Sequence, residues 1–226
     1  SGLATGTLGA FTVVHGAAAQ IALTGSTADL AAGASRVLTA TVQDAAGNTV
    51  TSDSSTVVTF AKQSGAGTVS GTGTATASSG VATKTITGAL AGSVTMEATA
   101  SGLTTGTLGV FNVVAGPAAQ IALTGSTANL TSGAARVLTA TIQDAGGNTV
   151  TSDNSTVVAF AKQSGAGTVS GTGTATASSG VATKTITGQL VGSVTMEAAA
   201  SGLTTGALGA FTVVHGAAAP ISLTGS

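Results

Sequence analysis

Residues 38–60 read LTATVQDAAGNTVTSDSSTVVTF, two strand-like segments on either side of a turn-forming segment. In the first segment three apolar residues, Leu38, Ala40 and Val42, alternate with threonine and glutamine. Successive side chains of a strand point to opposite faces of a sheet, so this alternation predicts one buried face and one solvent face.

Segments of this kind recur through the first hundred residues, separated by Gly, Asn, Asp and Ser, in the pattern typical of an all-β sandwich. We predict seven strands. They are A (20–25), B (36–43), C (56–62), D (67–71), E (81–87), F (93–100) and G (106–114).

The period of two also assigns the faces of these strands. Gly109 interrupts the alternation in strand G and predicts a bulge there. Threonine dominates the opposite faces, which we therefore expect to be rich in hydroxyl groups and poor in charge. The predicted core consists of Leu38, Ala40, Val42, Val58, Phe60, Val94, Met96, Ala98, Leu108, Phe111 and Val113.

The whole pattern repeats with a period of one hundred residues. SGLATGTLGAFTVVHG at residues 1–16 returns with small changes at 101–116 and at 201–216, and residues 1–100 differ from residues 101–200 at 16 positions. This period is the usual size of an independently folding sandwich domain. The chain is therefore expected to be an array of near-identical modules.

Composition excludes several classes of function. The net charge is −1, so nucleic acid or an anionic membrane would find no basic patch. The chain has five Phe but neither Tyr nor Trp, so it has few aromatic side chains that could stack on sugars or bases. It has no Cys, and no apolar stretch approaches the length of a membrane span.

The run from Leu38 to Gly71 and the run from Gly80 to Gly102 resemble the tandem bacterial immunoglobulin-like repeats of invasin- and intimin-type adhesins and other large surface proteins. The matching features are the strand ending in Asp44, the turn with Gly47 and Asn48, the Gly-Val-Ala opening of strand E, and the Ala-Gly pair before Val94. The resemblance implies tandem seven-stranded immunoglobulin-like sandwiches joined end to end.

The resemblance also sets the phase of the repeat. Residues 1–16 are expected to be the last strand of a preceding domain, 17–116 and 117–216 two whole domains, and 217–226 the first strand of a following domain. The predicted linkers, residues 15–19 and 115–119, are very short, which implies restricted swing between domains.

An oxygen-rich cluster recurs in both repeats, and we interpret its first aspartate, Asp44, as the cap of a β-turn with Gly47 or Asn48 in the left-handed region. The alternative is a calcium site, although calcium sites usually place several carboxylates at closer spacing. Otherwise we expect no cofactor. The calcium candidates are Asp44, Asn48, Asp53, Asp144, Asn148 and Asp153.

Lys84 lies on the inward side of strand E, as Lys184 does in the second repeat. We expect its stem to pack and its ammonium to reach solvent near Glu97. The alternative is half of an intramolecular isopeptide crosslink to Asn or Asp, assisted by Glu97 or Glu197, which needs the amine buried next to an acid. No suitable Asn recurs on the last strand of both repeats.

Catalytic signatures are missing from the sequence: it has no Ser-His-Asp set, no suitable acid pair, and only linker histidines. GTGTA at residues 71–75 is expected to be a loop in an all-β context, which does not suit a phosphate-binding site. We therefore expect no enzyme.

The favoured function is a structural repeat of an extracellular or cell-surface stalk or filament, which provides length, spacing and mechanical strength. Its partners would be neighbouring repeats of the same chain, without nucleic acid and without membrane insertion by this segment. The alternatives are an adhesin segment that binds a cell-surface ligand through loops 44–53 and 71–80, and a self-assembling fibre or sheath subunit with identical chains as partners.

Overall fold

The structure, a computed structural model, describes residues 5, 6 and 8–217. It divides into two compact units, Ser1–Val114 and Ala115–Ser226, each with its own hydrophobic core. Residues 5, 6 and 8–17, which include most of the expected last strand of a preceding domain, form no strand. The expected first strand at residues 217–226 lies, apart from residue 217, outside the described residues.

The first unit contains nine strands among its described residues. They are β1 (Ala18–Thr24), β2 (Leu30–Ala31), β3 (Ser35–Asp44), β4 (Val57–Ser64), β5 (Val69–Ser70), β6 (Gly73–Thr76), β7 (Val81–Gly88), β8 (Gly92–Thr99) and β9 (Gly106–Val114).

The second unit repeats these strands one hundred residues later. They are β10 (Ala118–Thr124), β11 (Leu130–Thr131), β12 (Ala135–Asp144), β13 (Val157–Ser164), β14 (Val169–Ser170), β15 (Gly173–Thr176), β16 (Val181–Gly188), β17 (Gly192–Ala199) and β18 (Gly206–Val214).

Each unit is a sandwich of two sheets. In the first unit a four-stranded sheet has the order β1-β3-β7-β5 and a five-stranded sheet has the order β2-β9-β8-β4-β6. With β1, β3, β7 and β5 as strands A, B, E and D, and β9, β8 and β4 as G, F and C, this is the strand order of an immunoglobulin-like sandwich. The second unit has the same order. No helix able to cross a membrane occurs in the described part of the chain.

All seven predicted strands are present, and the structure adds two short ones per unit. The segment β2 pairs parallel with β9, and β6 pairs antiparallel with β4. The expectation of a loop at residues 71–75 is wrong for its second half, because Gly73–Thr76 forms the edge strand β6. The predicted linkers are also too long, since β1 begins at Ala18 and β10 at Ala118.

The predicted core is confirmed. All eleven predicted side chains are buried, and Ile21, Leu23, Leu30 and Ile86 complete the apolar interior together with smaller residues. The bulge also lies where Gly109 predicts it: β8 pairs Val94 with Phe111 and Met96 with Leu108, so β9 has one extra residue between the two pairs. Because of that residue, Leu108 and Phe111 both face the core although they are three apart.

Candidate functional site: the contact between the first and last strands

In each unit, backbone hydrogen bonds join the first strand to a residue just before the last strand, and join the end of the last strand to the residue after the short second strand. In the first unit Ile21 N–H donates to the Thr104 carbonyl at 2.9 Å, and Thr104 N–H donates to the Ala19 carbonyl at 2.9 Å. Further along, Ala32 N–H donates to the Val114 carbonyl at 2.8 Å, beside the parallel β2–β9 pairing. We call these pairings, residues 19–21 with 104 and 30–32 with 113–114, the terminal-strand contact.

The second unit forms the same contact. Ile121 N–H donates to the Thr204 carbonyl at 3.0 Å, Thr204 N–H donates to the Ala119 carbonyl at 2.9 Å, and Ser132 N–H donates to the Val214 carbonyl at 2.8 Å. In both units the first strand runs parallel to the segment just before the last strand, and the short second strand pairs parallel with the end of the last strand. The start of the first strand and the end of the last strand therefore lie at opposite ends of the contact.

Gly106, the first residue of β9, lets the two strands approach closely. A Cβ atom at this position would lie 2.5 Å from the Ile21 carbonyl oxygen and 2.9 Å from the Leu23 nitrogen. Both neighbours are backbone atoms, so no rotamer change could relieve the clash. Glycine is needed here for space, and Gly206 has the same surroundings in the second unit.

Arg36 fastens the loop after β1 to the last strand. Its Nη1 donates to the Ser26 carbonyl at 2.7 Å, and its Nη2 donates to the carbonyls of Ala28 at 2.6 Å and Asp29 at 3.1 Å. The guanidinium carbon lies 4.9 Å from the centre of the Phe111 ring, within range of a cation–π interaction. One side chain thus joins three loop carbonyls to a core aromatic residue of β9.

Asp44 fastens the beginning of the unit. Its Oδ2 accepts a hydrogen bond from Gly16 N–H at 2.8 Å, and its Oδ1 accepts from Ala46 N–H at 3.0 Å and Asn48 N–H at 2.8 Å. The Asn48 side-chain amide donates to both oxygens, and Gly47 has a φ of 86°, in the left-handed region of the turn. The Asn48 side chain, then the Gly16 and Asn48 backbone groups, lower the pKa of Asp44 to about 2.

The same arrangement in the second unit is centred on Asp144, which is 2% exposed. Gly116 N–H donates to its Oδ2 at 2.8 Å, and Gly146 N–H and Asn148 N–H each donate to its Oδ1 at 2.9 Å. Burial acts to raise the pKa of Asp144, but the hydrogen bonds from Asn148, Gly116 and Gly146 outweigh it and the pKa is lowered.

The calcium candidates fall into two separate groups in each unit. Asp44 and Asn48 lie together, but the N–H groups of Gly16 and Asn48 and the side-chain amide of Asn48 already donate to both oxygens of the Asp44 carboxylate. Asp53 belongs to a different turn, in which its Oδ1 accepts from Ser55 N–H at 2.9 Å and Thr56 N–H at 3.0 Å. Within the described residues, no group of three or more His, Asp or Glu side chains is placed to hold a metal ion.

The turn at Asp153 shows how its second carboxylate oxygen is satisfied. The Thr156 hydroxyl donates to Asp153 Oδ2 at 2.5 Å, and Thr156 and Ser155 N–H groups donate to Oδ1. The hydroxyl of Thr156, then the backbone of Ser155, lower the pKa of Asp153. At Asp53 the Thr56 side chain, then the backbone of Ser55, likewise lower the pKa of the carboxyl, although the geometry of the hydroxyl is looser there and leaves Oδ2 without a hydrogen bond among the described residues.

The structure does not bring Lys84 and Glu97 together. Lys84 extends to the edge of the sandwich, where its Nζ donates to the Thr74 carbonyl at 3.2 Å, and Lys184 bonds to Thr174 in the same way at 3.1 Å. Glu97 lies on β8 of the other sheet, and its neighbours along the strand are buried, so its own side chain faces outward. The expected approach of the ammonium to Glu97 is therefore wrong.

Glu197 occupies the corresponding position on β17, between the buried residues Met196 and Ala198. It too lies in the other sheet from the lysine of its own unit, Lys184 on β16. The structure therefore does not bring Lys84 to Glu97 or Lys184 to Glu197, the pairs that the crosslink alternative requires.

Sequence reasoning missed three features that surround the terminal-strand contact: the bond between Asp44 and Gly16, the role of Arg36, and the close approach at Gly106. Arg36 offered a signal, because each repeat has a single arginine, at the same position. The bond to Gly16 spans 28 residues, and Gly106 looks like an ordinary strand-opening glycine, so neither shows in a local pattern.

Comparison with known proteins finds similarity among solved structures. No protein-family model matches the sequence, and no curated protein matches it. Among solved structures, the D00-D0 domain of intimin is 18% identical, with 86% of this chain and 99% of that chain covered and a TM-score of 0.49.

The adhesin FdeC of Escherichia coli is 19% identical, with 89% of this chain and 65% of that chain covered and a TM-score of 0.41. The adhesin InvE of Yersinia pseudotuberculosis is 19% identical, with 85% and 58% covered and a TM-score of 0.35. The fold assignment rests on the strand order of each unit.

Proposed function

We propose that this chain is a load-bearing structural segment of an extracellular or cell-surface stalk or filament, made of immunoglobulin-like repeats that supply length and resist tension. The observation that carries the proposal is the parallel terminal-strand contact, which both units form. The partners in this role are neighbouring repeats of the same chain.

The physical reason is the direction of load. The chain enters the first unit at the start of β1 and leaves it at the end of β9, and the bridges between the terminal strands are parallel. Tension on the two ends therefore pulls the strands lengthwise in opposite directions. Their hydrogen bonds are loaded together in shear, and they do not break one after another as they would in peeling.

The additional bonds reinforce this contact at both ends. Asp44 holds Gly16, at the point where tension enters the unit, and Arg36 holds the loop between β1 and β2 against Phe111. Hydrogen bonds to charged groups contribute more than neutral ones, so these two side chains strengthen the places where the first strand would begin to detach.

The surface composition supports a structural role over ligand binding. Strong contact points at protein interfaces are enriched in Trp, Tyr and Arg. The chain has no Trp and no Tyr, and both of its arginines are engaged by loop carbonyls within their own unit. The loops at residues 44–53 and 71–80 therefore offer few anchors for a tight ligand.

Single-molecule stretching of the whole chain between its ends tests the proposal. We expect two unfolding events of similar force, because the units are near-identical, and each should lengthen the chain by about 300 Å as roughly a hundred residues extend. Extension without a resolved force peak would contradict a load-bearing role. A single event at twice that length would instead contradict two independent units.

A further inference from the structure

The outer face of the four-stranded sheet carries no charged side chain. In the first unit it consists of alternate residues of β1, β3 and β7, whose neighbours along each strand point into the core. The six basic and seven acidic residues of the chain all lie in its described part, and none occupies one of these outward positions in either unit. We call this surface the threonine face; in the first unit it comprises Gln20, Ala22, Thr24, Ser35, Val37, Thr39, Thr41, Gln43, Val81, Thr83, Thr85 and Thr87.

Threonine side chains stand side by side on this face. Thr24 pairs with Thr39 and Thr39 pairs with Thr83, so three threonines form a row across neighbouring strands about 4.8 Å apart. The hydroxyls of Thr39, Thr83 and Thr85 have no hydrogen-bond partner within the described residues. The second unit pairs the equivalent threonines in the same register. The face therefore offers hydroxyl groups that can bond to a partner.

The two units keep this face nearly unchanged, whereas they differ on the opposite one. On the threonine face the only difference is Ser35, which is Ala135 in the second unit. The outer face of the five-stranded sheet differs at five positions of β4, β8 and β9, and it also carries Glu97. The five pairs are Thr59 and Ala159, Thr99 and Ala199, Thr107 and Ala207, Val110 and Ala210, and Asn112 and Thr212. Both units thus present the same threonine face, as a contact between like units requires.

The chemistry of the face favours its own copy as partner. In a two-fold contact each patch meets the same patch of the other molecule, so a charged patch would face like charge. A hydroxyl group both donates and accepts hydrogen bonds, so a threonine can bond to another threonine, whereas a lysine cannot bond to a lysine. Val37 and Val81, which are 55% and 36% exposed, add apolar contact to the same surface.

We propose that the threonine face is a lateral docking surface whose partner is the threonine face of a second copy of this chain. Three strands about 4.8 Å apart and about eight residues long give each face roughly 400 Å². A stable interface buries about 800 Å² per partner, so one pair of faces binds weakly and several pairs along an array add to one another. The contact joins separate chains, so it is independent of the load-bearing contact within each unit.

Sedimentation equilibrium of the full chain tests whether the contact forms. We expect the weight-average mass to rise with concentration above that of one chain, and to change little with salt, because no charges meet across the contact. A strict monomer at the highest soluble concentration would overturn the proposal and would leave the face to a different partner, such as a polysaccharide.

Opposite charges at the centre of the face test which surface is involved. One chain carries Thr39→Lys and Thr139→Lys, and a second chain carries Thr39→Glu and Thr139→Glu. We expect each to stay monomeric alone, because like charges would meet, and the two to associate when mixed, with an association constant at least tenfold above that of either alone. Salt at about 1 M should weaken the mixed pair. The same exchange at Thr83 and Thr183 covers the case in which the first variants do not fold.

The matched control places lysine on the five-stranded sheet, as Thr59→Lys with Ala159→Lys. Both positions are exposed, and the two units already differ there. The control chain should associate as the native chain does, and urea unfolding shows that each variant is folded. Association that persists in the Thr39→Lys chain, an equal loss in the control, or no recovery on mixing folded variants would each overturn the proposal.

Discussion

Replacing Gly106 by alanine probes the terminal-strand contact with one methyl group. The new Cβ would lie 2.5 Å from the Ile21 carbonyl oxygen, whereas ordinary contact begins near 3.4 Å, so β1 and β9 must separate by about 1 Å. Overpacking of this kind costs about 1–3 kcal/mol, and the loss of glycine's unfolded-state freedom returns about 0.5–1 kcal/mol. We expect a net destabilisation of about 1–2 kcal/mol.

Calorimetry can resolve this change because the second unit serves as an internal reference. A domain of this size loses about 4–8 °C in Tm for each kcal/mol, so the first unit should melt about 5–15 °C below the unchanged second unit. The control is Gly109→Ala on the same strand, where the nearest atom to a new Cβ is the Thr27 methyl at 3.6 Å. Equal melting of the two variants would refute the close-approach argument.

Three further changes test the surrounding bonds. The lowered pKa values of Asp44 and Asp144 favour the ionised form in the folded state, so both carboxylates stabilise the fold above their ordinary pKa. The pKa of Asp44 is about 2, so its contribution is lost as the pH falls from about 4 toward 2. The urea midpoint should therefore fall more steeply over that range in the native chain than in a variant with both residues changed to Asn, and parallel profiles would contradict the assignment. Arg36→Met keeps the packing of the side-chain stem but removes the hydrogen bonds to the loop carbonyls. The free energy of unfolding in urea should fall by about 1–2 kcal/mol, and hydrogen exchange at residues 26–29 should become faster. Unchanged exchange would show that Arg36 does not hold the loop in place. Because the carboxylate of Asp44 is saturated by donors and Asp53 lies in another turn, millimolar calcium and a chelator should give the same melting temperature, and a rise of several degrees with calcium would contradict this account.

The strands and the core follow from the sequence because both depend on a local pattern. Alternating apolar residues predict the long strands, and Gly109 predicts the bulge, since neither needs knowledge of what lies opposite. The two missed strands are short: β2 has two residues and β6 has four, and each exists because a longer strand, β9 or β4, offers it a partner.

The candidate site escapes sequence reasoning for a related reason. The turn at Asp44 is local and its form could be foreseen from Gly47 and Asn48, but its bond to Gly16 depends on how β1 lies against β3. Gly106 is required by the distance between two strands that are far apart in the chain. Such contacts depend on tertiary packing, which leaves no periodic signal in the sequence.

The most direct test of the load-bearing contact is to stretch the Gly106→Ala chain. We expect one of the two unfolding events to occur at a clearly lower force while the other stays at the native force. A Val58→Ala variant, which removes buried methyl groups from β4, serves as a comparison with a similar loss of equilibrium stability. If the terminal-strand contact bears the load, Gly106→Ala lowers the force more than Val58→Ala does; equal forces for the two variants would contradict the account.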